Sequence, residues 1–416
     1  MFKDGYDIPV ETFLGFNLDK EPDFDLNFSG EYQKEAQRSV VSIKGVGTIL
    51  RAGTIGTLAK KTALLYTKTY FKEKKSKRKQ ESIRRVAKRI EGVKRRDGVH
   101  PGGIIVLPKG VEESEYTPVL PSLFDPIADP IPRTEMEYHA IDGKLLKLDI
   151  LGHNGPTFLK RLKEQTGVDP RSIPIDDKGV ISLLSDTKAL NIEPEQIGGV
   201  SVGTLGIPCF GDGFAIGLIS DTKPHKLSDM IRIMGLSHGT GVWHGNAEIV
   251  IKEGKADLAH CLCNRDDIMI YLVGKGLDSS ISFNIMESVR KGRAASGKDR
   301  NWDEWRREMV KHNVPDWYIE CCEKVLYMFP KAHSAAYTLN AYRLLYYKLY
   351  YPKAFYRTWL EFAVIDKSFV DNGPDYARYV LEELKKKNPS KLSHKQQSML
   401  DEIPVVLEMF ARGVTI

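Results

Sequence analysis

The chain has 416 residues, a net charge of +6 and ordinary shares of apolar (42%) and charged (28%) side chains, so it has room for two or three domains around a large core. Its longest apolar runs, such as Ile104–Leu107, are too short to cross a bilayer, and no basic-then-apolar export signal opens the chain, so we expect a cytoplasmic protein. Its five cysteines include no Cys-x-x-Cys pair, which argues against a disulfide framework or a structural zinc site and favours buried, reduced thiols.

The first predicted element is a strand over Phe24–Phe28, in the segment Pro-Asp-Phe-Asp-Leu-Asn-Phe. Successive side chains of a strand point to opposite faces. One face then carries the polar side chains of Asp23, Asp25 and Asn27. The other face carries Phe24, Leu26 and Phe28, which we expect to point into a core.

A strongly basic stretch follows a glycine-rich turn at Arg51–Thr57. From Lys60 to Arg96 there are sixteen lysines and arginines against three glutamates, a net charge of +13, which leaves −7 for the rest of the chain. Ile83, Val86 and Ile90 recur at helical spacing and predict a helix with one buried stripe and a basic exposed surface. A charge run is often only a solvated face, but a segment that carries more than the whole excess charge favours a polyanion such as nucleic acid.

The basic stretch closes with the segment Gly92–Gly103, whose paired glycines permit a close approach of another backbone. The residues predicted to grip a phosphate backbone are Lys94, Arg95, Arg96, His100, Gly102 and Gly103. Exposed arginines and lysines are common, so this prediction rests on the group and not on any one member.

Two further strands are predicted at Gly103–Leu107 and Leu145–Leu151, with a Pro-rich loop at 116–133 between them. The apolar face of the later strand consists of Leu146, Leu148 and Ile150. Asp149 therefore stands on the opposite face, together with Lys147.

Three carboxylates, those of Asp23, Asp25 and Asp149, thus project from two predicted strands. Like charges held close together disfavour each other unless a cation neutralises them. Two divalent ions about 3.5–4 Å apart are the usual arrangement for in-line displacement at phosphorus. The leading interpretation is phosphoryl or nucleotidyl transfer, and the alternative is that Asp23 and Asp25 only solvate an edge strand.

After Gly152 the pattern becomes helical. The predicted helices are Pro156–Gln165, Ile281–Arg290, Asp303–Lys311, Ser334–Leu349, Asp375–Lys387 and one that opens with a capping box at Ser393–Gln396. Gly235–Thr240 is interpreted as a glycine-flanked turn that could line a pocket, with an ordinary loop as the alternative.

The segment Phe329–Tyr337 predicts a turn into a helix, whose positive N-terminal end favours an anion. Lys331 and His333 add donors there, and Tyr337 lies one turn beyond His333, where it could pack on a base or sugar. The alternative is an amphipathic core helix. Further candidates for anion binding are Arg265, Arg290, Lys291 and Arg293.

Together these motifs closely resemble the catalytic α subunit of bacterial replicative DNA polymerase III, the C family, in its Gram-positive PolC form. The matching stretches stand in the family's order: Pro22–Tyr32, Arg51–Thr57, His100–Val106, Leu146–His153, Gly235–Thr240, Arg265–Met269 and Phe329–His333. They run nearly from end to end of the chain, which makes the resemblance highly specific.

The resemblance implies an α/β palm of the polymerase β-like nucleotidyltransferase kind, incomplete here, with a basic helical thumb and a large, mainly helical fingers domain. The implied limits are 1–54 and 104–160 for the palm, 55–103 for the thumb and 161–416 for the fingers. It also implies that Asp23, Asp25 and Asp149 are the catalytic residues and bind two Mg²⁺ ions, which Mn²⁺ can replace. To nucleotide binding we assign Arg265, Arg290, Lys291, Lys331, His333 and Tyr337.

The implied function is template-directed DNA synthesis in bacterial chromosome replication, with primer–template DNA and deoxynucleoside triphosphates as substrates and the sliding clamp and replisome as partners of the full-length protein. Family members are much longer, so we expect a fragment without their upstream palm segment and zinc knuckle. One alternative is a catalytically incomplete DNA-binding fragment of that polymerase. Another is a metal-dependent nuclease, which would need only the acidic cluster.

Overall fold

The computed structural model describes residues 8–15, 22, 24–123, 130–141 and 143–416. The chain divides into two compact units. The sheet unit is Glu21–His153, and the helical unit is Asn154–Ile416 together with Met1–Lys20, which includes the short helix α1 (Glu11–Leu14). The predicted mixed α/β organisation is confirmed, and the predicted change from strands to helices after Gly152 lies within one residue of the boundary between the units.

The sheet unit is built on a six-stranded mixed sheet. Its strands are β1 (Phe24–Ser29), β2 (Val46–Thr57), β3 (Lys94–Pro108), β4 (Val119–Leu120), β5 (Arg133–Glu137) and β6 (Leu146–His153). Their order across the sheet is β1-β6-β3-β2-β5-β4. β1 runs parallel to β6 and β2 parallel to β5, while the other neighbours are antiparallel. The three strands predicted from the sequence are confirmed, and β3 is three times as long as predicted because it continues through the end of the basic stretch. The glycine-rich turn predicted at Arg51–Thr57 is wrong, because these residues form the second half of β2.

The central strands are buried on both faces. One face carries a cluster that includes Ile49, Ile104 and Ile150, and the helix α2 (Gln33–Ser39) packs there. The side-chain amides of Gln33 and Gln37 in α2 donate hydrogen bonds to the Ile150 carbonyl at 3.0 and 3.2 Å. The other face carries a second cluster: Leu50, Ala52, Ile105, Leu107, Ile141 and Leu145. Alternation along β6 places Asp149 on this second face.

The apolar side chains of β1 are not in a core. Phe24, Leu26 and Phe28 are 39%, 40% and 39% exposed, so the prediction that they point inward is wrong. β1 is an edge strand of the described sheet and gains a neighbour, β6, on one side only. The alternation was correctly predicted, but whether a face is covered depends on elements far away in the sequence.

The basic stretch forms two helices, α3 (Lys60–Glu73) and α4 (Gln80–Ile90), which pack together between β2 and β3 in the sequence. Ala63 and Thr67 of α3 and Ile83 and Ala87 of α4 are buried. The predicted amphipathic helix is confirmed, but its stripe is shifted because Val86 is 37% exposed and Ala87 is buried in its place. The limits predicted for the thumb fall inside β2 and β3.

The helical unit contains fourteen further helices in its described residues. They are α5 (Asn154–Thr166), α6 (Lys178–Ser182), α7 (Gly213–Thr222), α8 (Leu227–His238), α9 (Glu248–Lys252), α10 (Arg265–Gly274), α11 (Ser279–Arg290), α12 (Trp302–Lys311), α13 (Asp316–Lys324), α14 (Lys331–Tyr350), α15 (Pro352–Phe362), α16 (Ser368–Asp371), α17 (Gly373–Lys385) and α18 (His394–Ala411). All six predicted helices are present, and the capping box at Ser393–Gln396 is confirmed. No described helix is both long and apolar enough to span a bilayer.

One continuous apolar core joins these helices, from Phe158 in α5 to Met409 in α18. Four of the five cysteines are buried and Cys209 is partly buried, as predicted. Burial raises the pKa of Cys261 to about 12 and that of Cys321 to about 11, so these thiols stay protonated and unreactive near neutral pH.

Candidate active site

Two of the three predicted carboxylates lie side by side in the sheet. Asp25 of β1 and Asp149 of β6 occupy the same register position in the parallel pair β1–β6. Neighbouring strands are about 4.8 Å apart, so side chains at one register position project next to each other on one face. Asp23 lies outside the described residues, and its predicted place beside the pair stays a prediction.

The two oxygens of Asp149 have different surroundings. Oδ2 lies 2.9 Å from the ammonium group of Lys147, which also sits 4.6 Å from the ring centroid of Tyr138. Oδ1 is buried and accepts no hydrogen bond from any described residue. Its nearest cationic candidate is Nδ1 of His100, at 3.5 Å.

His100 does not satisfy this oxygen, because its Nδ1 is already used as an acceptor. The backbone N–H of Gly103 donates to Nδ1 at 2.6 Å and that of Gly102 at 3.3 Å. A nitrogen that accepts a hydrogen bond carries no proton, so Nδ1 cannot donate to Asp149. Burial lowers the pKa of His100, and the negative charge of Asp149 opposes part of this shift. The net lowering keeps the ring neutral near neutral pH.

The paired glycines bring β3 close to β6. A Cβ atom on Gly103 would lie 2.9 Å from Nδ1 of His100 and 3.0 Å from Cβ of Ala52. A Cβ atom on Gly102 would lie 2.3 Å from Cδ2 of Leu151. The sequence predicted that another group would approach these glycines closely. The groups that do so are the neighbouring strand β6 and the ring of His100 beside the carboxylates.

His153, at the end of β6, is a site residue that sequence reasoning missed. Alternation from Asp149 through Leu151 places it on the carboxylate face, and Asp25 acts electrostatically on it. Burial lowers the pKa of His153, and the charge of Asp25 opposes that shift. The signal was present in the sequence, since positions 149, 151 and 153 of one strand share a face.

The carboxylate face fits a hard divalent cation. Magnesium prefers carboxylate oxygens, and a buried Oδ1 without a donor is a ligand position that a cation would complete. Asp25 supplies a second carboxylate at the same register position. Within the described residues no group of three or more histidine, cysteine or acidic side chains forms a complete metal site, and position 23 is not among them.

The helical unit brings together several of the residues predicted to bind nucleotide. α10 begins at Arg265 and α14 at Lys331, and the backbone N–H of Arg265 donates to the Phe329 carbonyl at 3.0 Å. Two acidic residues of α10 hold the start of α14. Asp266 accepts from the backbone N–H of Lys331 at 2.6 Å, and Asp267 lies 2.7 Å from its ammonium group.

Lys331 is therefore only 3% exposed and engaged in an ion pair. Sequence reasoning assigned Asp266 and Asp267 no role beyond a position in the motif, and the structure shows that they position Lys331. An anion that contacts Lys331 would have to share this ammonium group with Asp267.

Four aromatic rings gather at the start of α14. His333 stacks on Phe329 with centroids 4.6 Å apart and lies 4.5 Å from Tyr337. His238, the last residue of α8, meets all three rings at 5.7 to 6.1 Å. Gly235–His238 is the end of α8, so the prediction of a turn over Gly235–Thr240 is wrong. His238 lies beside the predicted residues His333 and Tyr337.

Arg290 and Lys291 share one acidic partner. Glu287 binds Arg290 through two hydrogen bonds, the longer of 2.8 Å, and lies 3.0 Å from the ammonium group of Lys291. The backbone carbonyl of Arg290 accepts from Met328, next to Phe329, so the end of α11 lies near the aromatic cluster.

The basic residues that end the stretch Lys60–Arg96 lie at the start of β3, which pairs with β2. Lys94 pairs with Asp97 at 2.5 Å, and the side chain of Arg96 covers Gly56. Arg95 lies over the ring of Tyr66. Lys94, Arg95 and Arg96 are all exposed, as binding to a phosphate backbone requires.

Comparison with known proteins gives matches to two families and to several named relatives. Residues 3–72 and 66–152 match the family described as "Bacterial DNA polymerase III alpha NTPase domain", and residues 155–313 match "Bacterial DNA polymerase III alpha subunit finger domain". The chain is 45% identical over 416 residues to the DNA polymerase III PolC-type of Caldanaerobacter subterraneus subsp. tengcongensis, covering 100% of this chain and 29% of that protein. It is 44% and 43% identical to the proteins of the same name from Clostridium perfringens and Bacillus subtilis, covering 99% of this chain and 28% of each. The chain thus spans less than a third of the length of these relatives.

Proposed function

The chain belongs to the PolC-type family of bacterial DNA polymerase III alpha subunits, and from this premise we propose that its sheet unit carries the nucleotidyl-transfer site of template-directed DNA synthesis. The observation that supports this most is the shared register position of Asp25 and Asp149, with a buried carboxylate oxygen that accepts no hydrogen bond from the described residues. Because the chain spans less than a third of its relatives, their activity, substrates and partners are proposals for this chain.

In this proposal the sheet unit supplies palm and thumb and the helical unit supplies fingers. The palm is 1–54 and 104–160, of the polymerase β-like nucleotidyltransferase kind; the thumb is 55–103 and the fingers are 161–416. The separate family matches to residues 3–152 and 155–313 support a change of domain near residue 153.

Asp25 and Asp149, with Asp23, would hold two magnesium ions. When bound, such ions lower the pKa of a primer 3′ hydroxyl and neutralise the triphosphate and the leaving pyrophosphate. Lys147 orients Asp149 by holding Oδ2, which leaves Oδ1 for coordination. His100 fixes the glycine backbone of β3 beside Asp149 and contributes no charge there.

The aromatic cluster and the cations around α14 would receive the nucleotide. His333 and Tyr337 offer ring faces for a base or sugar, and Arg265, Arg290, Lys291 and Lys331 offer positive charge for phosphates. The β3 residues Lys94, Arg95, Arg96 and His100, with Gly102 and Gly103, would contact primer–template DNA. We further propose a cytoplasmic protein whose full-length form works with the sliding clamp and the replisome.

A catalytically incomplete DNA-binding fragment is the second candidate. It is favoured by Lys147, whose ammonium group occupies one oxygen of Asp149. In that case the basic part of β3 and the basic helices bind DNA while the carboxylates do no chemistry.

Magnesium-dependent primer extension distinguishes the two candidates. The chain would be tested alone and joined to the remaining sequence of a PolC-type relative, each beside its Asp149→Asn variant. We expect extension by the joined protein and a loss of at least about 100-fold in the variant, since one carboxylate ligand is removed while side-chain size is kept.

Glu112→Gln is the matched control, because Glu112 is an exposed carboxylate of the same unit outside the carboxylate face. It should extend primers like the parent. Equal extension by Asp149→Asn and the parent would sink the assignment of the active site. Binding of primer–template by a folded joined protein that never extends it would favour the second candidate.

A further inference from the structure

Helix α3 exposes a row of aromatic side chains that the proposed catalytic site does not use. Tyr66 and Tyr70 are four residues apart, so they lie on one side of the helix, and they are 43% and 54% exposed. Phe71 extends the row, with its ring centroid 5.4 Å from that of Tyr70 in an edge-on arrangement. The rings form one aromatic row along the helix.

The row flanks the side through which α3 is buried. Ala63 is fully buried and Thr67 is 3% exposed, whereas Tyr66 and Tyr70, at the edge of that side, remain 43% and 54% exposed. Thr67 donates a hydrogen bond to the Ala63 carbonyl at 2.8 Å, which satisfies its hydroxyl within the helix. Large exposed rings that contribute little to the core are a feature of binding surfaces.

An arginine stands at each end of the row. Cζ of Arg95, from β3, lies 5.7 Å from the ring centroid of Tyr66. Cζ of Arg78, from the turn between α3 and α4, lies 5.8 Å from the ring centroid of Phe71. Each guanidinium group therefore lies beside a ring and keeps donors for an anion.

The surrounding charge decides what kind of partner fits. The segment Lys60–Arg96 carries a net charge of +13, and its lysines and arginines are mostly exposed. Such a field repels most basic partners and attracts a polyanion, whose bound counterions are released on contact. Rings interleaved with cations are the arrangement that binds nucleic-acid strands through sugars or bases and phosphates together.

We propose that Tyr66 and Tyr70 form a contact surface for a DNA strand, with their rings packed on sugars or unpaired bases and successive phosphates held by Arg95 and Arg78. The surface is distinct from the carboxylate face and from the aromatic cluster of the helical unit. The proposal rests on the proposed function to the extent that the chain binds DNA.

The test is binding of a fluorescein-labelled 16-mer oligo(dT) and of a labelled 16-base-pair duplex to the full chain, followed by anisotropy across a range of salt concentrations. A Tyr66→Ser/Tyr70→Ser variant should bind at least about 30-fold more weakly, because it removes two rings that pack on the strand. Its dependence of log Kd on log salt should keep the parent slope, because no phosphate contact is removed. Arg95→Gln should instead lower that slope by about 1.

The two DNA forms separate the two ways in which the rings could act. A loss confined to oligo(dT) means that the rings stack on unpaired bases, and a loss for both forms means that they pack on sugars. Tyr379→Ser is the matched control, because Tyr379 is 65% exposed in the helical unit, and it should bind like the parent.

Unchanged binding by the double tyrosine variant would overturn the inference and leave a protein partner as the remaining explanation of the row. Absence of DNA binding by the parent chain itself would overturn the proposed function as well. Circular dichroism of each variant checks that α3 still folds, which the exposure of both rings leads us to expect.

Discussion

At the scale of single residues, backbone contacts decide which glycines of the helical unit can be replaced. A Cβ atom on Gly235 of α8 would lie 2.3 Å from the carbonyl oxygen of Cys263 and 2.6 Å from Oδ1 of Asn264, whereas one on Gly217 of α7 would meet nothing within 4 Å. We expect Gly235→Ala to lower the free energy of unfolding by about 1–3 kcal/mol through overpacking. Gly217→Ala should raise it by about 0.5–1 kcal/mol, because alanine has the higher helix propensity.

Urea unfolding of the two variants and the parent measures this difference. The two glycines form a matched pair, since both lie inside helices of one unit and both changes add one methyl group. Equal effects of the two substitutions would show that α8 and the segment before α10 do not approach as closely as described.

His238 makes stability depend on pH. Burial lowers its pKa below the ordinary value of 6.5, and the neighbouring His333 adds to this lowering. Below about pH 6.5 the unfolded chain binds this proton more readily than the folded chain, so the contribution of His238 to stability is present above that pH and is lost as pH falls. We expect His238→Phe, which keeps an aromatic ring among Phe329, His333 and Tyr337, to lose less stability than the parent between about pH 7.5 and 5.5.

Urea unfolding at both pH values gives the comparison. His394→Phe is the control, because His394 is exposed in the first turn of α18, and it should follow the parent. A parent and a His238→Phe variant with the same loss of stability would contradict the account of the buried ring.

At the scale of elements, one buried ion pair joins α14 to α18. Lys348 and Glu408 are both 0% exposed and lie 2.8 Å apart. The ammonium group also donates to the carbonyls of Gly203 and Leu205 at 2.8 and 2.6 Å, and Tyr356 donates to the carboxylate at 2.5 Å. The pair and its hydrogen bonds therefore fix three helices, α14, α15 and α18, and one turn in a single arrangement.

Lys348→Met should be strongly destabilising, by about 3–5 kcal/mol, because it leaves the carboxylate of Glu408 buried without its cation. The double variant Lys348→Met/Glu408→Leu should recover part of that loss, since it removes the unpaired charge as well. Thermal unfolding of the parent and both variants provides the measurement. A double variant less stable than Lys348→Met would mean that the carboxylate of Glu408 is stabilising even without Lys348.

The alternation of apolar residues predicted where strands lie, but it did not predict which elements pack against them. The strand at Phe24–Phe28 and the strand at Leu145–Leu151 were predicted within two residues of their observed limits, because alternation is visible in a few consecutive residues. The exposure of Phe24, Leu26 and Phe28 was not predictable from the same residues, since it depends on which elements lie beside an edge strand. The continuation of β3 through Lys94–His100 was hidden for a related reason, because a basic stretch carries no apolar alternation.

At the scale of the whole molecule, the two units have separate cores. The main apolar cluster lies entirely within 158–409, and the clusters of the sheet unit lie within 40–150. We expect residues 154–416 produced alone to fold with helical circular dichroism and one cooperative thermal transition. This fragment should melt slightly below the helical unit of the full chain, because it lacks Ile8, which packs on Ile231 and Ala335 of this unit. A non-cooperative transition for residues 154–416 would show that the helical unit needs the sheet unit to fold.

The sequence by itself determined the family and most of the element types, and it predicted the carboxylates. Long motifs in a fixed order, the alternation around Asp25 and Asp149 and the concentration of charge in Lys60–Arg96 are local properties of the chain. The tertiary structure decided which of these residues meet. It placed Asp25 beside Asp149 in the sheet and paired one oxygen of Asp149 with Lys147. It also paired Lys331 with Asp267 and placed the ring of His238 next to that of Phe329. Such contacts join residues up to 124 positions apart in the chain, and their geometry follows from strand order and helix packing, which no short stretch of sequence encodes.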